Sequence, residues 1–374
     1  MVSKKQVGRK NGKIEFLRFF FCIAVLLFHA QKYIVGSVSF KDGIHLSMFP
    51  HGAMGVEFFF LLSGFLMAKS VYKIKSATAL NGYEYNEKTL SQNSLTFLKR
   101  KYLSVFPQHC VAFVFAFIAL ALKDNFTLKQ GILKLVDSIP NFFLVQMTGV
   151  NFSNPNHLEW YISCMLIAMA IIYPLCSKFY YSFTRYVAPL LAMMTLGYMI
   201  YTTKSLTGVS VWMGLSYKSM LRAIAEVALG TTAFEFSRYL SSKQYNSSRR
   251  LLFTAFEIFC FVATAVYLVT TMPLKYEIYM IVLLFMLVSI AFSGVSYGNG
   301  IFDNKFVYFL GSLSLPIYLG QLTAIYTIQA YMTKYSIKIQ LVSVVAMTFL
   351  VAFIIMFVGN KLSNLLVKKH SVSL

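Results

Sequence analysis

Carboxylates are scarce in this chain: 13 Asp and Glu stand against 34 Lys and Arg, and charged residues of both signs make up only 13% of its 374 positions. Beside a 57% hydrophobic share, so little charge excludes a soluble globular class. The net charge of +21 does not make nucleic acid a partner, because the Lys and Arg gather in short loops between apolar runs, as orientation signals do. Cysteines are few and show no paired spacing. Cys22, Cys110, Cys164, Cys176 and Cys260 lie in or beside apolar segments, which indicates neither a disulfide framework nor a metal site. An internal repeat is lacking, which weighs against a transporter built from inverted halves. No polar stretch is patterned to form a separate soluble domain. The longest, 72–96, reads as a cytoplasmic loop.

What is present is a series of apolar runs, and they predict an all-α polytopic integral membrane protein with one membrane-embedded domain over 1–374. About ten spanning helices are expected near 16–35, 52–69, 102–122, 157–177, 186–203, 219–237, 251–271, 276–296, 306–330 and 339–359. Basic tails flank them at 1–15 and 360–374. A further apolar piece, 132–150, is interrupted by Pro140, Asn141 and Gly149 and reads as a re-entrant or interfacial element. The first run follows Lys4, Lys5, Arg9, Lys10 and Lys13. It is too long for a signal-peptide core and lacks a small-x-small cleavage site, so it is expected to stay as a span. With both termini in the cytoplasm, 22 Lys and Arg fall on the inner side and 10 on the outer, which favours that orientation.

Several spans carry polar residues that lipid would not tolerate. Ten residues separate Arg18 from His29 in the first run, so the two leave one helix face about 16 Å apart along the axis. They cannot touch, but they can line one long tunnel. The bland alternative has Arg18 snorkelling to headgroups and His29 satisfied inside the bundle. Counted from the span ends, His29, Glu57, Arg222, Glu226 and Gln321 fall at one level in the outer half, which predicts a shared polar chamber. Arg222 and Glu226 could instead neutralise each other at i, i+4. The crowded stretch from Gly55 to Phe65 ends in Ser63-Gly64 and fits a helix-packing seam. Lys99, Arg100 and Lys101, followed by Pro107, open the third span; with Arg18 they read either as a basic inner mouth suited to a phosphorylated soluble ligand or as ordinary positive-inside decoration.

These motifs, in order along nearly the whole chain, resemble the type 3 membrane acyltransferase family, which includes polysaccharide O-acetyltransferases. They are Glu15-Phe16-Leu17-Arg18 through Phe28-His29, the Gly-Val-acid-x-Phe-Phe-x-x-Ser-Gly-Phe pattern from Gly55 to Phe65, the basic residues before Pro107, and Trp160-Tyr161-Ile162-Ser163. Arg222 before Gly230, and Leu310-Gly311-Ser312-Leu313-Ser314-Leu315-Pro316-Ile317-Tyr318-Leu319, complete the set. The chain departs at Ser104, where the family often has Arg, at Met165, where many members have an acid, and at Gln321, where many have His. The resemblance implies transfer of an acyl group, most often acetyl, from cytoplasmic acyl-CoA to a hydroxyl of an extracytoplasmic glycan or envelope molecule. It implies no permanently bound cofactor, acetyl-CoA as co-substrate, and a place in the bacterial cytoplasmic membrane. Polysaccharide-assembly proteins are possible partners. His29 is expected as general base or acyl carrier, Glu57 to orient it, and Arg18, Lys99, Arg100 and Lys101 to hold the donor. Ser63, Trp160, Arg222, Glu226 and Gln321 are expected to position the acceptor. No metal-ligand set is found. A proton-coupled transporter or flippase of a lipid-linked precursor would use the same intramembrane groups for proton relay. A scaffold for polysaccharide assembly would use them for packing alone.

Overall fold

Helices begin in this chain where an amide or hydroxyl side chain can take an orphan backbone N–H. In the computed structural model, which describes residues 11–36, 49–80, 86–150 and 155–371, Asn11 accepts from the Ile14 amide, Asn86 from Thr89, Asn246 from Arg249 and Asn304 from Val307. Thr127 and Gln130 close a reciprocal capping box. The helices are α1 (Gly12–Ile34), α2 (Gly55–Leu80), α3 (Glu87–Lys123), α4 (Leu128–Asp137), α5 (Ile139–Phe142), α6 (Trp160–Lys178) and α7 (Tyr180–Ser182). A π-helical turn, Phe183–Val187, leads into α8 (Ala188–Thr203). After a two-residue hairpin at Trp212–Met213 and Ser216–Tyr217 come α9 (Lys218–Ser241), α10 (Ser247–Val269), α11 (Glu277–Ser293), α12 (Asn299–Phe302), α13 (Lys305–Tyr331) and α14 (Ile337–Ser371).

Among the described residues, nine helical segments are long and apolar enough to cross a bilayer. The tenth expected span, α9, has the length but carries Lys218, Arg222, Glu226, Glu235 and Arg238. It packs against α2, α6, α8 and α11, which bury most of it. A charged helix survives at this depth because protein, not lipid, surrounds its polar face. The tightest crossing is α2 on α9. A Cβ on Gly64 would strike the Val227 carbonyl and one on Gly230 the Leu61 carbonyl, so the small residues of the seam let the two backbones touch.

Two expectations are refined. The stretch 72–96 is not one loop: α2 runs to Leu80 and α3 starts at Glu87 behind its Asn86 cap, so both helices continue past their apolar portions. The piece 132–150 forms no crossing helix. Helix α4 buries none of its residues, and ten residues reach only about 15 Å, half the hydrocarbon thickness. The chain then breaks into α5 and a single 3-10 turn, Gln146–Thr148, whose Met147 amide donates to Ser163 Oγ of α6 at 3.3 Å. The expected outer loop 36–51 lies mostly outside the described residues, as do Lys4, Lys5, Arg9 and Lys10 of the basic tail.

Candidate active site

At the end of the bundle where α1 finishes and α2, α6 and α9 begin, the helices diverge around a cavity of about 500 Å³. His29 lies in its wall, five residues before the last residue of α1. Its imidazole is 7% exposed, and Nδ1 stands 2.9 Å from Oε1 of Gln321 on α13. Gln321 has no freedom to turn its amide over, because its Nε2 donates to the Tyr318 carbonyl at 3.0 Å. That leaves Oε1, an acceptor, facing His29, so Nδ1 carries the proton and Nε2 keeps a lone pair. A neutral imidazole with one nitrogen tied and the other basic is prepared to take a proton from a hydroxyl.

Glu57 was expected to orient His29, and it does not. Its carboxylate, 1% exposed, lies 3.1 Å from the Arg222 guanidinium. Gln321 fills the orienting place instead. The reason is azimuth: on the first turn of α2, Gly55 and Phe58 pack against Phe21 of α1, while Glu57 leaves the helix toward α9. Arg222 therefore pairs with Glu57 and not with Glu226 one turn along its own helix. Glu226 is fully buried within hydrogen-bond reach of Glu57. Arg222 also donates to the Leu206 carbonyl at 2.9 Å and lies 5.0 Å from the centre of the Trp160 ring, a cation–π contact.

These contacts build one wall of the cavity, the backbone from Thr207 to Ser210. Lys218 donates to the Thr207 carbonyl at 2.6 Å, Ser219 to the Val209 carbonyl at 2.7 Å, and the Leu206 amide to the Glu277 carboxylate. Four buried polar side chains from α9 and α11 thus hold a loop that has no secondary structure of its own. Of the residues expected to meet the acceptor, Trp160 and Arg222 line the cavity. Glu226 and Gln321 stand behind it. Ser63 lies deeper, donating to Met165 Sδ at 3.1 Å.

The cavity also contains residues that no motif singled out. His157 takes a short hydrogen bond with the Tyr33 hydroxyl and faces Tyr326 at 3.4 Å. His51 donates from Nε2 to the Met272 carbonyl at 2.8 Å. Lys32 lies over the Phe28 and Tyr33 rings. A signal for His157 was present in the polar run Asn156-His157-Leu158-Glu159 at the head of a span. The other miss is His109, an intramembrane histidine in α3 by the same rule that drew attention to His29. Its Nε2 donates to the Phe142 carbonyl at 2.8 Å and Nδ1 meets Glu159 at 2.9 Å, both side chains fully buried.

The expected inner mouth is partly assembled. Arg18 is 31% exposed at its side chain and bonds Glu15 at 3.0 Å. Lys101 is half-buried within electrostatic reach of it, whereas Lys99 and Arg100 are exposed. The cavity around His29 does not reach these residues. Cys22, Tyr161 and Tyr318 stand between, all buried, with Cys22 Sγ donating to the Ser314 carbonyl at 3.0 Å. Among the described residues, no three of His, Cys, Asp and Glu converge as a metal site.

A family model described as an acyltransferase domain, that of the acyltransferase type 3 family, matches residues 11–358, nearly the whole chain. No curated protein and no solved structure matches it.

Proposed function

The chain belongs to the acyltransferase type 3 family and is a multi-pass membrane acyltransferase, and from that premise we propose that it moves an acetyl group from cytoplasmic acetyl-CoA to a hydroxyl of an extracytoplasmic glycan or envelope molecule. The acceptor occupies the cavity around His29. Its hydroxyl proton passes to His29 Nε2 as the oxygen attacks the thioester carbonyl carbon. The carbon–sulfur bond breaks, and the thiolate of CoA leaves with the proton that His29 held. Gln321 keeps the imidazole in the productive tautomer through both halves of this exchange. Arg222, pinned by Glu57 and Trp160, fixes the loop wall against which the acceptor rests.

The donor approaches from the Arg18 end. Arg18 and Lys101 are the half-buried cations there, and their charge suits the phosphates of a CoA carrier. The thioester arm runs along α1 toward His29 once Cys22, Tyr161 and Tyr318 give way. In this proposal the Arg18 end faces the cytoplasm of a bacterial cell, a reading that the distribution of basic loop residues supports.

The observation that carries the reading is the His29–Gln321–Tyr318 chain, which leaves one imidazole nitrogen basic in a cavity wall. Mass spectrometry of purified cell-surface polysaccharide from cells with and without the chain tests it. The expected result is a mass difference of one acetyl group per modified unit. Identical spectra across all surface glycans, with the protein present in the membrane, would remove the glycan acceptor.

A further inference from the structure

The cavity around His29 has a charge pattern that acyl transfer alone does not require. Among the described residues, its ionisable lining consists of His29, Lys32, Tyr33, His51, His157 and Arg222, with no Asp or Glu. Elsewhere the interior treats its bases differently. Lys13 meets Glu257 at 2.7 Å, His109 meets Glu159 at 2.9 Å, and Arg238 meets Glu235 at 3.0 Å. In the cavity, His51 and His157 bond a carbonyl and two tyrosine hydroxyls. Among the described residues, Lys32 has only the faces of Phe28 and Tyr33, 6.0 and 5.7 Å away. Arg222 is paired with the buried Glu57 carboxylate behind the wall, which leaves Lys32 as the lining cation without a carboxylate partner among the described residues. A cation at a cavity mouth that meets no carboxylate can take an incoming anion.

We propose that the acceptor bound in this cavity carries an oxyanion, a carboxylate or a phosphate, on its sugar or polyol ring, recognised by Lys32 at the mouth. Hydrogen bonds from cations to an oxyanion are about twice as strong as neutral ones, and Lys32 meets no competing carboxylate among the described residues. The cavity volume suits one or two rings. That the bound anion is an acceptor follows from the acyl-transfer proposal above. That the cavity binds an anionic ring does not.

The test uses the full chain in phosphatidylcholine nanodiscs, which removes anionic headgroups as competitors. Equilibrium dialysis compares radiolabelled methyl glucuronide and glucose 6-phosphate with methyl glucoside, and acetyl transfer from acetyl-CoA is followed with the same three probes. At least one charged probe should bind about tenfold more tightly than the neutral one, with the preference falling as salt rises. Lys32→Gln should erase that preference, and Lys32→Arg should keep it. The stronger charged probe identifies carboxylate or phosphate as the recognised group. Equal binding of all three probes overturns the inference, as does a preference that Lys32→Gln leaves intact. Displacement of the charged probe by desacetyl CoA assigns the anion site to the donor and likewise overturns it. A preference in binding with transfer to none of the probes overturns acyl transfer to a ring hydroxyl and leaves the anion site standing. Transfer without preference does the reverse.

Discussion

His29 and His109 are both buried histidines within apolar helices, and their surroundings assign them opposite tasks. His109 spends both ring nitrogens on the protein: one on the Glu159 carboxylate, the other on the Phe142 carbonyl. Asn156 and Asn141 supply further donors to the same carboxylate at 2.9 and 3.2 Å. The result is a closed polar knot that ties the broken segment after α4 to α3 and α6. His29 spends one nitrogen, on a neutral amide, and stands in the wall of a cavity. Burial alone does not mark a functional histidine. His29 differs from His109 in having a ring nitrogen left over in a cavity wall.

The contrast is broken most forcefully at His29 itself. Replacing it with Ala should lower acyl transfer by about 10²–10⁴-fold, the usual worth of a positioned general base, while membrane level and melting temperature stay near wild type. Full activity in that variant would remove the catalytic assignment. His109→Ala should do the converse. It leaves the buried Glu159 carboxylate without its histidine partner, a loss of about 1–3 kcal/mol, seen as a lower melting temperature and less protein in the membrane. The turnover of the protein that does fold should stay close to wild type. If His109→Ala instead spared stability and abolished turnover, the division of roles would be wrong.

Gln321 sharpens the same comparison. Gln321→Leu frees Nδ1 and lets the imidazole choose either tautomer, so kcat should fall by about 10–100-fold, the range seen when a group that orients a histidine is lost. Gln321→Glu keeps an acceptor oxygen facing Nδ1 and should recover most of the loss. Smaller again is Arg18→Gln, which should raise the KM for acetyl-CoA by about tenfold with little change in kcat, because a charged hydrogen bond to the donor is lost in binding rather than in chemistry. Lys99→Gln and Arg100→Gln should each change that KM by less than about twofold, since exposed cations contribute little.

The membrane architecture was legible in the sequence because length and apolarity are local properties. The run expected at 306–330 is α13, Lys305–Tyr331, and the one expected at 219–237 is α9, Lys218–Ser241. Helix extensions such as Glu87–Thr96 were hidden, because they lie outside the apolar windows and depend on a single Asn cap. In the site, depth counting placed His29, Glu57, Arg222, Glu226 and Gln321 at one level; the structure pairs His29 with Gln321 and Arg222 with Glu57, and of the five only His29 and Arg222 line the cavity. Depth says nothing about azimuth. It could not tell that Glu57 faces α9 and Gln321 faces α1, so the orienting partner was misassigned. The cavity wall from Thr207 to Ser210 was beyond reach for another reason. Its shape comes from Lys218, Ser219, Arg222 and Glu277, residues whose spacing forms no motif.

The central claim is that donor and acceptor reach His29 from opposite ends of α1. The most direct measurement is acetyl transfer in sealed proteoliposomes of known protein orientation, with acetyl-CoA confined to the compartment facing Arg18 and the acceptor to the other. Product is expected with that arrangement, none when the two compartments are exchanged, and none from His29→Ala in either. Equal product with donor and acceptor both confined to one side would contradict the claim.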